Sequence, residues 1–186
     1  MIRFACVSAA VAAFASTACA EFTVNINEVG SDVVVTGSGA LDLSAWTYLG
    51  DIGGDFTAGI RASYIALGPD VFNSDNWTAP LSFSGTSALP ANPTFATTVS
   101  GDSVWFNWSF GAMYLPQGSV SGSTLTLTDT YAGETYASMG LVAGESYTWT
   151  WDIVGGGRES FTINVPAPAS AALLGLGGFL AARRRR

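Results

Sequence analysis

Residues 146–153 read SYTWTWDI, and this stretch decides the fold class of the chain. Large apolar side chains alternate there with small polar ones, which is the period-2 pattern of a strand with one buried face. The apolar set is Tyr147, Trp149, Trp151 and Ile153. Because a strand must bury such a face against another layer, the stretch predicts a two-layered β structure.

The same alternation recurs in other parts of the chain, separated by glycine, asparagine, aspartate and proline. It is clearest at residues 22–26, 104–110, 124–128 and 161–165. Between residues 21 and 165 no stretch has the period of an amphipathic helix, and residues 68–93 are predicted to hold the longest loop. We therefore predict an all-β fold, an antiparallel β-sandwich, with a jelly-roll-like fold or a partly closed barrel as alternatives.

The N-terminus has the layout of a secretory signal peptide. Arg3 gives a basic start, residues 4–17 form an apolar run, and Ala18 and Ala20 fit the small-x-small rule for signal peptidase. We predict cleavage after Ala20, which makes residues 1–20 the signal peptide. The chain would then enter the secretion translocon and leave the cytoplasm.

The remaining domain, residues 21–165, is strongly acidic. It holds all fourteen acidic residues of the chain and only two cations, Arg61 and Arg158, which gives a net charge of −12. Such a surface repels nucleic acid and anionic lipid headgroups, so neither is expected as a partner. Both cysteines precede residue 21, so the domain has no disulfide and no thiolate metal ligand.

The residue types that are missing exclude several enzyme classes. The chain has no histidine and no lysine, which removes the Ser-His-Asp triad, histidine-bound zinc and Schiff-base chemistry. The GDSV sequence at residues 101–104 therefore lacks a base for its serine and is interpreted as a turn that leads into a strand. Carboxylate pairs, such as Asp51 with Asp55 or Glu134 with Glu145, are the one catalytic option left. We expect no enzymatic activity.

Calcium is the metal that the acidic loops would suit, because a hard cation prefers oxygen ligands. The candidate ligands are Asp51, Asp55, Asp70 and Asp75. Their spacing does not fit the twelve-residue EF-hand loop, and solvated turn acids are the alternative interpretation. No other cofactor is expected.

Six tryptophans suggest sugar binding as an alternative function. Trp108, Trp149 and Trp151 lie in phase with apolar neighbours and are expected in the core. The other three are out of phase or close to loops, and they would form the sugar-binding platform. They are Trp46, Trp77 and Trp105. Burial of all six tryptophans would count against this function.

The C-terminal segment, residues 166–186, has three parts. The sequence VPAP at residues 165–168 is followed by an apolar run at residues 169–182 and then by Arg183, Arg184, Arg185 and Arg186. As a helix, the run would be roughly 21 Å long, short of the about 30 Å of a hydrocarbon core. The arginines predict that this end stays cytoplasmic, by the positive-inside rule. We therefore predict a short apolar helix that enters a membrane.

This three-part tail resembles the PEP-CTERM sorting signal of Gram-negative-type bacteria, in which Pro-Glu-Pro precedes a short hydrophobic helix and an arginine cluster. The resemblance covers residues 165–186, and Ala167 stands where that family usually has glutamate, as in the VPxxP and alanine-bearing variants. It implies an exosortase as the processing partner. The recognition motif would be Val165, Pro166, Ala167 and Pro168, and the four arginines would be the orientation signal.

The domain itself is similar to a recurring cargo domain of PEP-CTERM proteins, for which the resemblance implies no known activity. The similar segments are residues 46–50, 53–60, 113–122, 136–140, 147–151 and 159–163.

We therefore expect an exported cell-envelope or extracellular-matrix protein that is held only transiently at the inner membrane. Signal peptidase, the translocon, an exosortase and extracellular polysaccharide are the expected partners. The alternative is a secreted carbohydrate-binding or adhesive β-sandwich with a simple C-terminal membrane anchor.

Overall fold

The computed structural model describes residues 21–54, 57–69, 73–79, 81–84, 89 and 92–167. The predicted signal peptide, with Ala18 and Ala20, lies outside the described residues. So do Asp55, Asp70, Pro168, the apolar run at residues 169–182 and the four terminal arginines. Within the described residues, no helix is long and apolar enough to cross a membrane.

The described chain is mostly β-strand, with one short helix. In chain order the elements are β1 (Glu21–Val29), β2 (Asp32–Ala40), β3 (Thr47–Gly53), β4 (Gly59–Arg61), β5 (Tyr64–Leu67), β6 (Asn73–Thr78), β7 (Ser82–Ser84), β8 (Thr94–Phe95), β9 (Thr98–Gly101), β10 (Val104–Asn107), β11 (Ala112–Pro116), β12 (Thr124–Tyr131), α1 (Tyr136–Met139), β13 (Ser146–Asp152) and β14 (Arg158–Asn164).

The described strands form two sheets of seven. Sheet 1 has the order β7-β13-β14-β1-β2-β12-β9, and sheet 2 has the order β3-β6-β11-β10-β5-β4-β8. The predicted all-β fold with two largely antiparallel sheets is therefore confirmed. Neither sheet closes on itself, so the alternative of a partly closed barrel is wrong.

One strand pair departs from the antiparallel prediction. β1 and β14 run parallel, with Glu21 opposite Ser160 and Asn25 opposite Asn164. Twelve other strands separate β1 and β14 along the chain. The two strands are therefore not joined by a hairpin turn, which would have made them antiparallel. The start of β1 and the end of β14 therefore lie at opposite ends of sheet 1.

The core lies between the sheets and is rich in aromatic rings. Trp149 and Phe161 point inward from sheet 1, and Phe106 points inward from sheet 2. The Phe106 ring centroid lies 4.5 Å from that of Phe161 and 5.3 Å from that of Trp149. The alternation in residues 146–153 is thus explained, since Tyr147, Trp149 and Trp151 are each only 2% exposed.

Several elements, β6 and α1 among them, are not predicted from the sequence. β6 lies inside the stretch predicted as the longest loop. It was not predicted as a strand because its sequence, NSDNWT, is mostly polar and contains few residues that favour strands. The four-residue helix α1 is too short to show a helical period, and it is held by a capping box between Thr135 and Ser138. The Tyr136 hydroxyl on α1 donates to the Ile26 carbonyl oxygen at 2.7 Å, which ties the helix to β1.

Candidate functional site

The chain leaves the fold at the predicted sorting motif. Val165 is fully buried, its amide donates to the Glu145 carbonyl oxygen at 2.9 Å, and its own carbonyl oxygen accepts from the Gly144 amide at 2.6 Å. Pro166 and Ala167, directly after it, are exposed. Val165 is therefore part of the folded core, and the chain is accessible at Pro166 and Ala167. Pro168 lies outside the described residues.

The predicted tryptophan platform does not form. Trp46 is only 6% exposed, and its ring packs edge-on against Trp151 with the centroids 5.1 Å apart. Trp77 lies on the inward side of β6, opposite the buried Met113, and is half-buried. Sequence position near a loop was a poor guide in both cases, because the loop residue Trp46 folds back over the core and Trp77 belongs to strand β6.

Trp105, the third predicted ring, lies on the outer face of sheet 2. Its neighbours Val104 and Phe106 are fully buried, so the alternation directs Trp105 away from the core. The Trp105 ring stacks on Tyr114 with a centroid separation of 4.5 Å and an angle of 25°, and it meets Tyr64 edge-on at 5.5 Å. We call Tyr64, Trp105 and Tyr114 the aromatic row. All three rings are half-buried.

Polar groups flank the aromatic row on the same face. Asn76 lies opposite Tyr114 in the strand register, and Asn107 follows Trp105 by two residues. The Oδ1 atoms of both asparagines are buried and have no hydrogen-bond partner. The Arg61 guanidinium lies 5.8 Å from the Tyr64 ring centroid. The two asparagines and Arg61 were missed from the sequence, although the alternation of VWFN at residues 104–107 does place Asn107 on the face of Trp105.

Two of the four predicted calcium ligands come together. Asp51 on β3 lies opposite Asp75 on β6. Asp51 accepts hydrogen bonds from the Tyr48 hydroxyl and, at 2.9 Å, from the Gln117 amide. The Tyr48 bond and then the Gln117 bond lower the pKa of Asp51, and the same Tyr48 bond raises the pKa of Tyr48 to about 12.

Asp75 is also engaged by the protein, since its Oδ2 atom accepts from the amides of Gly118 and Ser119 at 3.0 Å each. Asp55 and Asp70 lie outside the described residues. Within the described part of the chain, no group of three or more acidic, histidine or cysteine side chains is arranged to hold a metal ion.

The structure describes three of the four carboxylates in the two predicted catalytic pairs. Asp55 of the first pair lies outside the described residues. In the second pair, Glu134 accepts from the Ser138 hydroxyl at 2.5 Å and so serves helix α1, and the Glu145 carbonyl oxygen holds Val165.

A different carboxylate pair, Asp42 and Glu159, was missed because its members are far apart in sequence. Glu159 is 1% exposed, and its Oε2 atom accepts from the Asp42 amide at 3.3 Å. Burial raises the pKa of Glu159 to about 7, while hydrogen bonds from Ser44 lower the pKa of Asp42. Opposed shifts of this kind occur in acid-base catalysis.

The cleft that the described residues form near the Asp42 and Glu159 pair is lined by neither of the two carboxylates. A cleft of about 210 Å³ opens near this end of the domain and is lined in part by Trp151, Asp152 and Arg158. Glu159 is not among its lining residues. The pair is therefore interpreted as a buried structural contact.

Buried carboxyl groups predict that the protein is more stable in mild acid than at neutral pH. Burial raises the pKa of Asp129 to about 6, although the Gly68 amide donates to the carboxyl group and acts in the opposite sense. Burial likewise raises the pKa of Glu159 to about 7. Both groups ionise near about pH 4 in an unfolded chain. Their stabilising contribution is therefore complete below about pH 4 and is lost as the pH rises through about 6 and 7.

We expect Asp129→Asn to flatten this pH dependence. The asparagine keeps an oxygen for the Gly68 amide but cannot ionise, so it should remove roughly 2–3 kcal/mol of pH-dependent stability. Urea unfolding near pH 4 and near pH 8 measures the difference in the free energy of unfolding between the two ends of this titration. Asp152→Asn is the control, because that side chain is 83% exposed. A wild-type slope in Asp129→Asn would contradict the assignment.

Comparison with protein-family models, curated proteins and solved structures finds no match for this chain.

Proposed function

We propose that this chain is an exported bacterial envelope protein whose β domain reaches the cell surface or the extracellular matrix through its C-terminal sorting tail. Signal peptidase removes residues 1–20, and the domain folds outside the cytoplasm as a sandwich without enzymatic activity. The tail then holds it briefly at the inner membrane, where an exosortase processes it.

Each part of the tail has a separate physical role. The apolar run at residues 169–182 enters the membrane, and the four arginines hold its end on the cytoplasmic side. Pro166 keeps the chain extended at the membrane surface, because proline blocks the extension of a helix on its N-terminal side. An extended, accessible backbone is what a processing enzyme needs to bind.

The observation that carries this proposal is the sharp boundary between Val165 and Pro166. Val165 is fully buried and has both backbone groups hydrogen-bonded, whereas Pro166 and Ala167 are exposed. Processing at the proline pair would thus leave every described strand intact. The parallel pairing of β1 and β14 also supports the proposal, because it directs the start of β1 away from the end that carries the tail.

The proposal is tested by following the protein in a bacterium that has an exosortase and in the same strain without that enzyme. We expect the strain without it to accumulate precursor that keeps residues 166–186 in the membrane fraction. We expect Pro166→Ala to slow processing, and Ala167→Glu, which introduces the usual residue of the family, to be processed at least as well as the wild type. Thr126→Ala, on an exposed strand position, is the control. Identical processing with and without the exosortase would contradict the sorting proposal and favour the alternative, in which the tail is a simple membrane anchor.

A further inference from the structure

We propose that Glu159 binds the α-ammonium group that signal-peptide cleavage creates at Glu21. The inference rests on the proposed function, because it requires cleavage after Ala20. It goes beyond that function, since it makes removal of the signal peptide a step that completes the fold. The ligand is a primary ammonium group that belongs to the chain itself.

The strand register places Glu159 at the start of β1. Glu21 is the Cα partner of Ser160 in the parallel pair of β1 and β14, so Glu159 lies one step before that pair, close to the level of the Glu21 nitrogen. β2 flanks β1 on the other side, and Asp42 follows the end of β2 by two residues. The Asp42 amide nevertheless donates to Glu159 Oε2 at 3.3 Å. The contact therefore crosses the start of β1, which separates β2 from β14 in the sheet.

The Glu159 carboxylate lacks a donor that its burial requires. Glu159 is 1% exposed, and its Oε1 atom is buried without a hydrogen-bond partner among the described residues. A buried acceptor without a donor costs free energy, and native folds rarely leave one unexplained. An α-ammonium group carries three N–H donors and can supply one to Oε1.

Within the described part of the chain, no side-chain cation pairs with Glu159. Residues 21–165 contain only two arginines. Arg61 lies on β4 of the other sheet. Arg158 pairs instead with the exposed Asp152, with 3.2 Å between Nε and Oδ1. An ammonium group at the start of β1 would be the cation that Glu159 otherwise lacks.

The charges around the start of β1 favour a cation there. Burial raises the pKa of Glu159 to about 7, although the amides of Asp42 and Ser160 act in the opposite sense. The nearby carboxylates of Asp42 and Glu21 raise the pKa further. An ammonium group among these three acids would lower the pKa of Glu159, and its own pKa would rise in return.

The ammonium group does not have to enter the fold from solvent. Its nitrogen is the peptide nitrogen of Glu21, which belongs to β1 before cleavage. Hydrolysis breaks the bond between this nitrogen and the Ala20 carbonyl carbon, which takes the hydroxyl of water. The new carboxyl group gives up a proton, and the nitrogen becomes an ammonium group in place. The burial of Glu159 Oε1 is therefore no obstacle to the pairing.

The test is the acylation rate of the α-amino group, which is the only primary amine of the mature form because the chain has no lysine. The full-length chain is expressed with its signal peptide, and the form that begins at Glu21 is identified by intact mass. It is treated with sulfosuccinimidyl acetate between pH 6 and pH 9. A free α-amino group has a pKa of about 8. At pH 7.5 we expect the folded protein to react at least about fivefold more slowly than the same chain unfolded in urea, with its rate profile shifted to higher pH.

Two variants separate the charge of Glu159 from simple burial of the amine. Glu159→Gln keeps an oxygen for the Asp42 amide but has no charge, so its amine should react within about twofold of the unfolded chain. Insertion of two serines between Ala20 and Glu21 moves the ammonium group away from Glu159, and we expect fast acylation and a lower Tm. Asp152→Asn removes an exposed carboxylate and is expected to be protected like the wild type.

The proposal is overturned if the folded wild type is acylated as fast as the unfolded chain, or if a folded Glu159→Gln variant is protected like the wild type. If Glu159→Gln does not fold, the insertion decides, and persistent protection of its amine overturns the proposal. The intact mass tests the proposed function separately. If signal peptidase cuts elsewhere, that function loses its first step, and the form that begins at Glu21 is released from an N-terminal fusion by a protease for the same measurement.

Discussion

Replacing Phe161 by alanine is expected to lower the free energy of unfolding by about 3–5 kcal/mol. Phe161 is fully buried at the centre of β14, and its ring lies 4.5 Å from Phe106 of the opposite sheet and 5.3 Å from Phe22 of the adjacent strand. Removing the ring leaves a cavity where the two sheets meet. The neighbouring rings of Phe106 and Phe22 are fixed on their own strands and cannot move far enough to fill it.

Urea unfolding measures the loss, and Phe110→Ala is the matched control. Phe110 is 80% exposed, so its truncation should change the free energy of unfolding by no more than about 0.5 kcal/mol. Equal losses in the two variants would mean that Phe161 does not join the sheets as described.

Gly68→Ala is expected to lower the free energy of unfolding by at least as much, because the added Cβ atom would clash with the main chain. Gly68 has a φ of +78°, and a Cβ atom there would lie 2.0 Å from the Asp102 carbonyl oxygen. That contact cannot be relieved by turning a side chain, because the obstacle is main chain. The shift would also disturb the bond from the Gly68 amide to Asp129, which ties sheet 2 to sheet 1. We expect a loss of more than about 3 kcal/mol or a failure to fold.

Gly133→Ala is the control for the backbone conformation alone. Its φ is +74°, and a Cβ atom would meet nothing within 4 Å. We therefore expect a loss of only about 1–2 kcal/mol, the cost of a left-handed conformation for alanine. If both glycine variants lost the same free energy of unfolding, the close approach of Gly68 to the Asp102 main chain would not be a constraint on the fold.

The strongly alternating stretches could be predicted from the sequence, because each has one apolar and one polar face. SYTWTWD became β13 and TLTLTDTY became β12, both with their apolar side chains inward. β6 could not be predicted in this way. Its residues form a strand because they pair with β3 on one side and β11 on the other. Such pairing is a tertiary effect that the local sequence pattern does not predict. The parallel pairing of β1 with β14 could not be predicted either, because it joins the two ends of the domain.

The candidate site divides along similar lines. Trp105 was singled out because it breaks the apolar phase of its strand, and the structure does place it on the outer face. Trp46 was misjudged because a loop position does not tell whether the loop folds over the core. Asp129 lies in phase with the inward residues of β12, and Glu159 in phase with those of β14, so the alternation places both acids on inner faces. Only the packing of the two sheets shows that both are buried there.

The most direct test of the proposed function is the intact mass of the protein recovered from the envelope and the medium of a bacterium with an exosortase. We expect a mature form that begins at Glu21 and ends within or close to residues 166–168. A form that keeps Arg183, Arg184, Arg185 and Arg186 and stays in the membrane fraction would contradict it, and the tail would then be a simple anchor.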